Sequence, residues 1–234
     1  MSIYLDLNVA YKLQFTFMSI EVLYLEFDDG KSPYEEWEDS LDVVTRAAIR
    51  ARINRIRQRN FGDCKPADKV FELRIDHGPG YRIYFGKVKD KIVILLCGGE
   101  KRSQARDIKK ANAFWLLYKQ SIKRDKKRAG NMVRTKSYKE RLLKQLQKAE
   151  EAAAYLNAAL NDEDPHVFLL ALRDIAEAKG GVGWLADEAE LNRENLYRTL
   201  SMRGNPRFFN LIAVLDAVGL ELTIRARKRS SARA

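Results

Sequence analysis

Hydrophobic and polar residues alternate through Ile20–Phe27 (IEVLYLEF), where β-branched and aromatic residues dominate, and this predicts a strand. Ser32-Pro33 then opens a helix, with serine as N-cap and proline at the first position, and the acids of YEEWEDSLD suit its N-terminal end. The period changes again from about Val43 to Asn60. Ile49, Ile53 and Ile56 fall at i, i+4 and i+7 and predict one buried stripe, while Arg46, Arg50, Arg52, Arg55, Arg57 and Arg59 cover the rest of that helix. Three β-like runs follow, VFELRI (70–75), YRIYFGKV (81–88) and KIVILLC (91–97), separated by DHGPG and by Lys89-Asp90. A helix from about Ser103 to Tyr118 completes the order β-α-α-β-β-β-α.

Beyond residue 136 the pattern is helical throughout. KSYKERLLKQLQKAEEAAAYLNAALN spaces Leu142, Leu146, Ala149 and Ala153 for one helix, and Asp162-Glu163-Asp164-Pro165 caps the next, which runs to Gly180-Gly181. In VGWLADEAELNRENLYRTLS, small or apolar residues fall where a helix-turn-helix lets two helices cross closely. Its first helix is expected at Trp184–Ala189, its turn at Glu190-Leu191, and its recognition helix at Arg193–Leu200 with Asn192 as cap. Glu190 stands where glycine is usual, and a left-handed backbone there would cost about 1 kcal/mol. A Gly-Asn-Pro turn, a helix burying Phe208, Leu211, Ile212 and Leu215, a strand-like LELTIRA and a disordered basic tail are expected to follow. The fold class is therefore α+β, a β-α-α-β-β-β-α domain with an antiparallel sheet followed by an all-α helix-turn-helix domain.

Composition sharpens this picture. An apolar content of 46% excludes a disordered chain, and no run reaches the ~18 apolar residues of a membrane span. The first residues lack the basic start of a signal peptide, and Cys64 and Cys97 read as unpaired thiols of a reducing compartment, so a cytoplasmic location is expected. The net charge of +11 is concentrated in residues 121–141, which hold nine cations against two acids. Such a run serves either as a solvated linker or as a phosphate-binding segment.

Strand alternation places Glu72, Arg74, Arg82 and Tyr84 on the face opposite the apolar set, read as the open side of the sheet. Lys101, Arg102 and Arg106 follow the last strand and are expected to rim that surface, with His77 in the preceding loop. Arginine forks suit phosphate, tyrosine stacks on bases, and His, Lys or Tyr can move a proton. The alternative is an ordinary charge-paired sheet face.

The segments SPYEEW, NFGD, VFELRIDHGPGYRIYF and ILLCGGEKRSQARDI, over roughly residues 18–118, closely resemble the HigB-type, phage-killer branch of the RelE/ParE toxin superfamily. The resemblance implies a RelE-like toxin domain with an antiparallel sheet. It also implies ribosome-dependent endoribonuclease (mRNA interferase) activity without metal or cofactor, in which the ribose 2′-hydroxyl attacks the adjacent phosphate. Arg82 matches the family's phosphate-stabilising arginine, Arg74 a basic position on the preceding strand, and Lys101 or Arg102 a basic residue after the third strand. Arg102 and Arg106 are expected to bind RNA, and His77 or Tyr84 to transfer protons. The superfamily's C-terminal tyrosine has no clear match, Asp107 or Ile108 falling near its place. The ParE branch poisons gyrase, and that target stays open.

The stretch from AAYLNAALND to LELTIRA resembles HigA-type antitoxins, helix-turn-helix proteins that block their toxin and repress their own operon as homodimers. Asn192, Arg193, Asn195 and Arg198 are the residues this implies for operator DNA. The domains expected are a toxin at 18–120, a basic linker or fusion seam at 121–135, and an antitoxin at 136–226. Met18 and Met132 would mark former starts, and residues 1–17 match no recognised pattern. The antitoxin half is expected to bind the toxin half, in cis or swapped between chains, and to cover its cationic patch. The competing reading is a transcriptional regulator whose first half only binds a partner.

Overall fold

The computed structural model describes residues 19–125, 133–201 and 204–224. Residues 126–132 of the basic linker, both candidate start methionines, residues 1–17 and the C-terminal basic tail lie outside the described residues.

The chain begins with strand β1 (Glu21–Phe27), then α1 (Pro33–Asp39) and α2 (Val43–Arg57). The Ser32 hydroxyl accepts from the Glu35 amide, as the Ser-Pro signal predicts, and Asp42 accepts from the Val44 and Thr45 amides to start α2. Strands β2 (Cys64–Ala67), β3 (Val70–Ile75), β4 (Tyr81–Val88) and β5 (Ile92–Glu100) follow. A 3-10 turn at Lys101–Ser103 then leads into α3 (Gln104–Asp125). Strand β6 (Val133–Ser137) precedes α4 (Tyr138–Gln145), α5 (Ala149–Leu160), α6 (Pro165–Lys179), α7 (Gly181–Glu188), α8 (Arg193–Thr199) and α9 (Phe208–Ala217).

One six-stranded sheet has the order β2-β3-β4-β5-β1-β6. The β3-β4-β5 meander is antiparallel as expected, but β1 runs parallel to β5, so the sheet is mixed. Alternation reveals which face a side chain occupies but not which strand lies beside it, and β1 pairs with a strand about seventy residues away. Short β2, with Pro66 in it, forms the edge beside β3.

Two regions differ from the sequence expectation in ways that matter for function. Residues 133–137, read as seam and helix start, add β6 antiparallel to β1, with Phe27 opposite Val133 and Leu23 opposite Ser137. Lys136 pairs with Glu26 on that ladder. The single helix expected over residues 136–161 is instead two, broken at Leu146–Lys148. Lysine, glutamine and alanine supply no stop signal there. The break lets α4 lie against β1 while α5 runs along α2. Residues 220–224 join no ladder, so the strand-like LELTI stays unpaired among the described residues.

Helix α2 ties the layers together. Ile49, Ile53 and Ile56 are fully buried against the sheet, as their spacing predicts. The arginine side of the same helix is also covered, because α5 and α6 pack on it. The largest hydrophobic cluster accordingly runs without a break from Ile20 and Ile83 through Tyr155 and Ile175 to Leu215. On the other face of the sheet, α3 lays Ala111 and Trp115 over Tyr84, Ile94 and Leu96. Gly86 leaves room for the Trp115 ring, which a Cβ there would strike. The face read as open is therefore roofed along half its length.

Candidate nucleic-acid interface

Beyond the N-terminal end of α3 the roof stops, and the polar residues of β3 and β4 come together there. The register sets Arg74 opposite Arg82 and Glu72 opposite Tyr84. Glu72, which the sequence reading did not single out, is 2% exposed and forms the hub. Its Oε1 accepts from Arg74 Nε at 2.6 Å and lies 3.6 Å from Arg82 Nε. Its Oε2 accepts from Gln104 Nε2 at 2.7 Å and from the Tyr84 hydroxyl at 3.4 Å. Alternation already places Glu72 beside Arg74. Its role as hub needed the cross-strand register and the start of α3, which no local pattern encodes.

Arg82 keeps about 10% of its side chain exposed and Arg74 about 32%. Arg82 is thus nearly buried, but among polar groups rather than in the apolar core. Its Nη1 also approaches the Gly80 carbonyl at 3.5 Å. The hydrogen bond that Arg74 donates to Glu72 holds its guanidinium above the ordinary pKa. Lys101, Arg102 and Arg106 are exposed around the same end of the sheet, Arg102 paired with Glu100 at 2.7 Å and Arg106 with Asp107 at 3.6 Å. Asp107 itself is buried and accepts from Ser103 Oγ.

The two expected proton-transfer groups, His77 and Tyr84, are both engaged with neighbouring side chains. Tyr84 is fully buried beneath α3 rather than on an open face, and burial first, then Glu72, pushes its hydroxyl pKa up. His77 stacks on Tyr81, with ring centroids 6.5 Å apart, and Tyr81 belongs to the core on the opposite face. What the cluster offers chemically is cationic and hydrogen-bonding surface for a phosphodiester, with its arginines already oriented.

In the C-terminal half, α7 and α8 are joined by a tight turn in which Glu190 has φ 53°, the left-handed backbone that glycine favours. Asn192 caps α8 by accepting from the Asn195 amide at 3.0 Å. Asn192, Arg193, Asn195 and Arg198 are all exposed. Arg198 donates to Asn195 Oδ1 at 2.6 Å, and Arg193 lies 6.0 Å from the Tyr197 ring centroid and close to Gly183.

Between the halves runs a charged seam. Arg57 grips Asp174 with two bonds of 2.5 and 3.0 Å, and Asp174 also accepts from the Tyr155 hydroxyl at 2.9 Å. Fully buried Arg50 pairs with Glu38 at 3.2 Å and Glu151 at 2.5 Å, while Arg46 reaches Glu151 at 2.6 Å. Arg141 returns the pattern from the other side, meeting Glu35, Glu38 and Asp39 at 2.8, 3.1 and 2.5 Å. This seam lies against α1, α2 and β1, across the sheet from Arg74 and Arg82. Among the described residues, the C-terminal half packs on the face opposite the cationic cluster and does not cover it, contrary to the expectation from sequence.

Residues 137–226 match the model of a family described as probable addiction module antidote protein. Two Haemophilus influenzae proteins, each described as an uncharacterized protein, are similar over about a third of this chain. One is 48% identical over 80 residues, covering 33% of this chain and 81% of the relative. The other is 37% identical over 76 residues, covering 32% and 77%.

Through these residues the chain belongs to the addiction module antidote family.

No solved structure gives a significant match. The match begins at Ser137, the last residue of β6, so the antidote half includes every helix that packs on α2 from the C-terminal side.

The seam that seats the antidote half has a defined acid sensitivity. Burial would raise the Glu151 carboxyl, but hydrogen bonds from Arg46 and Arg50 outweigh it and hold the group below its ordinary 4.5. A carboxylate depressed on folding contributes stability above its unfolded pKa and loses it as pH falls through the folded value. Thermal unfolding followed by circular dichroism should therefore give a Tm that is flat near neutral pH. It should fall as pH drops below 4.5. A Tm independent of pH down to about 3 would contradict the pairing.

Proposed function

We propose that this chain is a toxin and its antidote in one polypeptide, the N-terminal half being a HigB-type toxin that cleaves messenger RNA on the ribosome. The observation that carries this is the seam. An antidote-family unit seats its carboxylates Glu151 and Asp174 on arginines 46, 50 and 57 of the other half's central helix. A toxin is the partner that an antidote family implies. The cationic cluster of Arg74, Arg82, Lys101, Arg102 and Arg106 supports a polynucleotide substrate, its arginines stabilising the charge that builds on the scissile phosphate. Since the antidote half sits across the sheet from that cluster, it neutralises by bulk, hindering access to the ribosome rather than plugging the site. Both halves lie in one chain, and tethering keeps the local antidote concentration high, on the order of millimolar for a short flexible linker.

Expression of residues 1–131 alone should arrest growth while the full chain should not, and mapping of message ends should show cuts in translated RNA. A harmless fragment would overturn the toxin reading, and gyrase-dependent DNA breaks in place of cut messages would reassign it to the ParE type.

The exposed side chains of α8 favour a second role for the antidote half, repression through operator DNA. In this reading α7 and α8 form the helix-turn-helix, with Asn192, Arg193, Asn195 and Arg198 at the major groove. Half-site recognition calls for two copies. An apolar groove of about 800 Å³ lined by Leu156, Leu160, Phe168, Phe208 and Leu222 suits a second antidote half. Salt-dependent binding to the chain's own promoter would support this role, and its loss in Arg193→Ala would place it on α8. The left-handed turn gives a stability check. Glu190→Gly should raise stability by up to about 1 kcal/mol, visible as a Tm gain of roughly 2–4 °C.

A further inference from the structure

The register of β3 and β4 sets two guanidinium groups, Arg74 and Arg82, directly across from each other. Like charges in that position repel. One buried carboxylate lies between them, and its two oxygens divide the work. Oε1 faces both arginines, bonding Arg74 Nε at 2.6 Å and standing 3.6 Å from Arg82 Nε. Oε2 is pinned from behind by Gln104 at the start of α3 and by the buried Tyr84 hydroxyl.

We propose that Glu72 is the positioning residue of the RNA site, aiming the arginine forks of Arg74 and Arg82 at the scissile phosphate. This inference rests on the RNA reading of the same face. The geometry shows how the aiming works. Glu72 bonds the Nε edge of Arg74 and faces that of Arg82 at ion-pair distance, which leaves the end-on pair of terminal N–H groups of each fork for a phosphate. An arginine with its Nε edge held loses less rotational freedom when it closes on a ligand. Tyr84 thereby takes a role different from proton transfer. Together with Gln104 it anchors the carboxylate, and through that carboxylate α3 reaches the arginines. Glu72 also lowers the site's net positive charge, so its presence costs raw attraction to a polyanion while adding direction.

The test uses the intact chain, since the cationic face lies across the sheet from the docked antidote half. In the wild type, the Arg74 Nε–Hε resonance should be resolved and exchange slowly with solvent, and Glu72→Ala should abolish that protection. A fluorescent single-stranded RNA oligonucleotide then reads the coupling. Arg82→Lys, which keeps the charge and loses the fork, should weaken binding about tenfold in the wild-type chain and less than about threefold in the Glu72→Gln background. Glu72→Gln is nearly isosteric, and its Tm reports the fold separately. Equal losses from Arg82→Lys in both backgrounds, or a wild-type Arg74 Nε–Hε that exchanges freely, would overturn the positioning role. RNA binding by the wild-type chain no stronger than that of Arg82→Ala would sink the RNA reading instead, leaving the resonance to decide what Glu72 does to the arginines.

Discussion

Asp174→Ala should destabilise the folded chain by about 3–5 kcal/mol, the cost of stranding a buried charged partner. Asp174 is 1% exposed and binds both terminal nitrogens of Arg57, whose own side chain is only about 11% exposed. It also holds the Tyr155 hydroxyl. Removing the carboxylate therefore leaves a largely buried guanidinium and a buried phenol without their shared acceptor. Urea denaturation followed by tryptophan fluorescence measures the effect. The companion variant Arg57→Met/Asp174→Leu should recover most of the loss, because replacing both charges by apolar groups removes the desolvation cost with the attraction. Should Asp174→Ala cost less than about 1 kcal/mol, the pair would be no more than a solvated contact. Under the toxin–antidote reading there is a cellular consequence. The antidote half seats on α2 through this pair, so Asp174→Ala should make the full chain inhibit growth, whereas the double apolar variant should be tolerated.

Arg82→Ala in residues 1–131 should reduce message cleavage by about 10²–10³-fold, the usual loss when one oriented donor to a developing oxyanion is removed. Arg82→Lys should rescue little, since an ammonium matches a phosphate's charge but not the two-point geometry of a guanidinium. Arg102→Ala should cost far less, because Arg102 is 85% exposed and its interaction with any phosphate is screened. The comparison that checks this is single-turnover cleavage of a ribosome-bound message by the three variants at matched Tm. If Arg82→Ala retained wild-type cutting, the catalytic role assigned to the β3–β4 cluster would be lost, even if the fragment remained toxic by another route.

Several features of the site were legible in the chain before folding. The alternation of VFELRI and YRIYFGKV placed Arg74 and Arg82 on one face, and the structure pairs them across strands. The Asn192 cap and the bounds of α8 followed from a local rule, and the left-handed backbone at Glu190 is the condition the glycine argument posed. Tyr84 was misplaced because alternation reports sidedness, not cover. The roof over that face comes from α3, whose Trp115 finds room only at Gly86. His77 lies in the loop where the sequence put it, but which neighbour it meets was not legible there, because a loop residue has no face until the loop closes, and it closes onto Tyr81.

The arginines of α2 mark the larger division. By itself the sequence determined the elements and their faces, since period, caps and turns act within a few residues of one another. It marked Ile49, Ile53 and Ile56 as core and left six arginines on that helix as apparent surface. Only the tertiary structure decided that the surface is an interface. Asp174 lies more than a hundred residues from Arg57, and β6 reaches β1 over a similar separation. Nothing in a local window ties a cation to a carboxylate so far along the chain. Packing selects that pairing, because buried charges are tolerated only where an opposite charge meets them. The same packing set the antidote half on one side of the sheet and left the arginine cluster around Glu72 on the other.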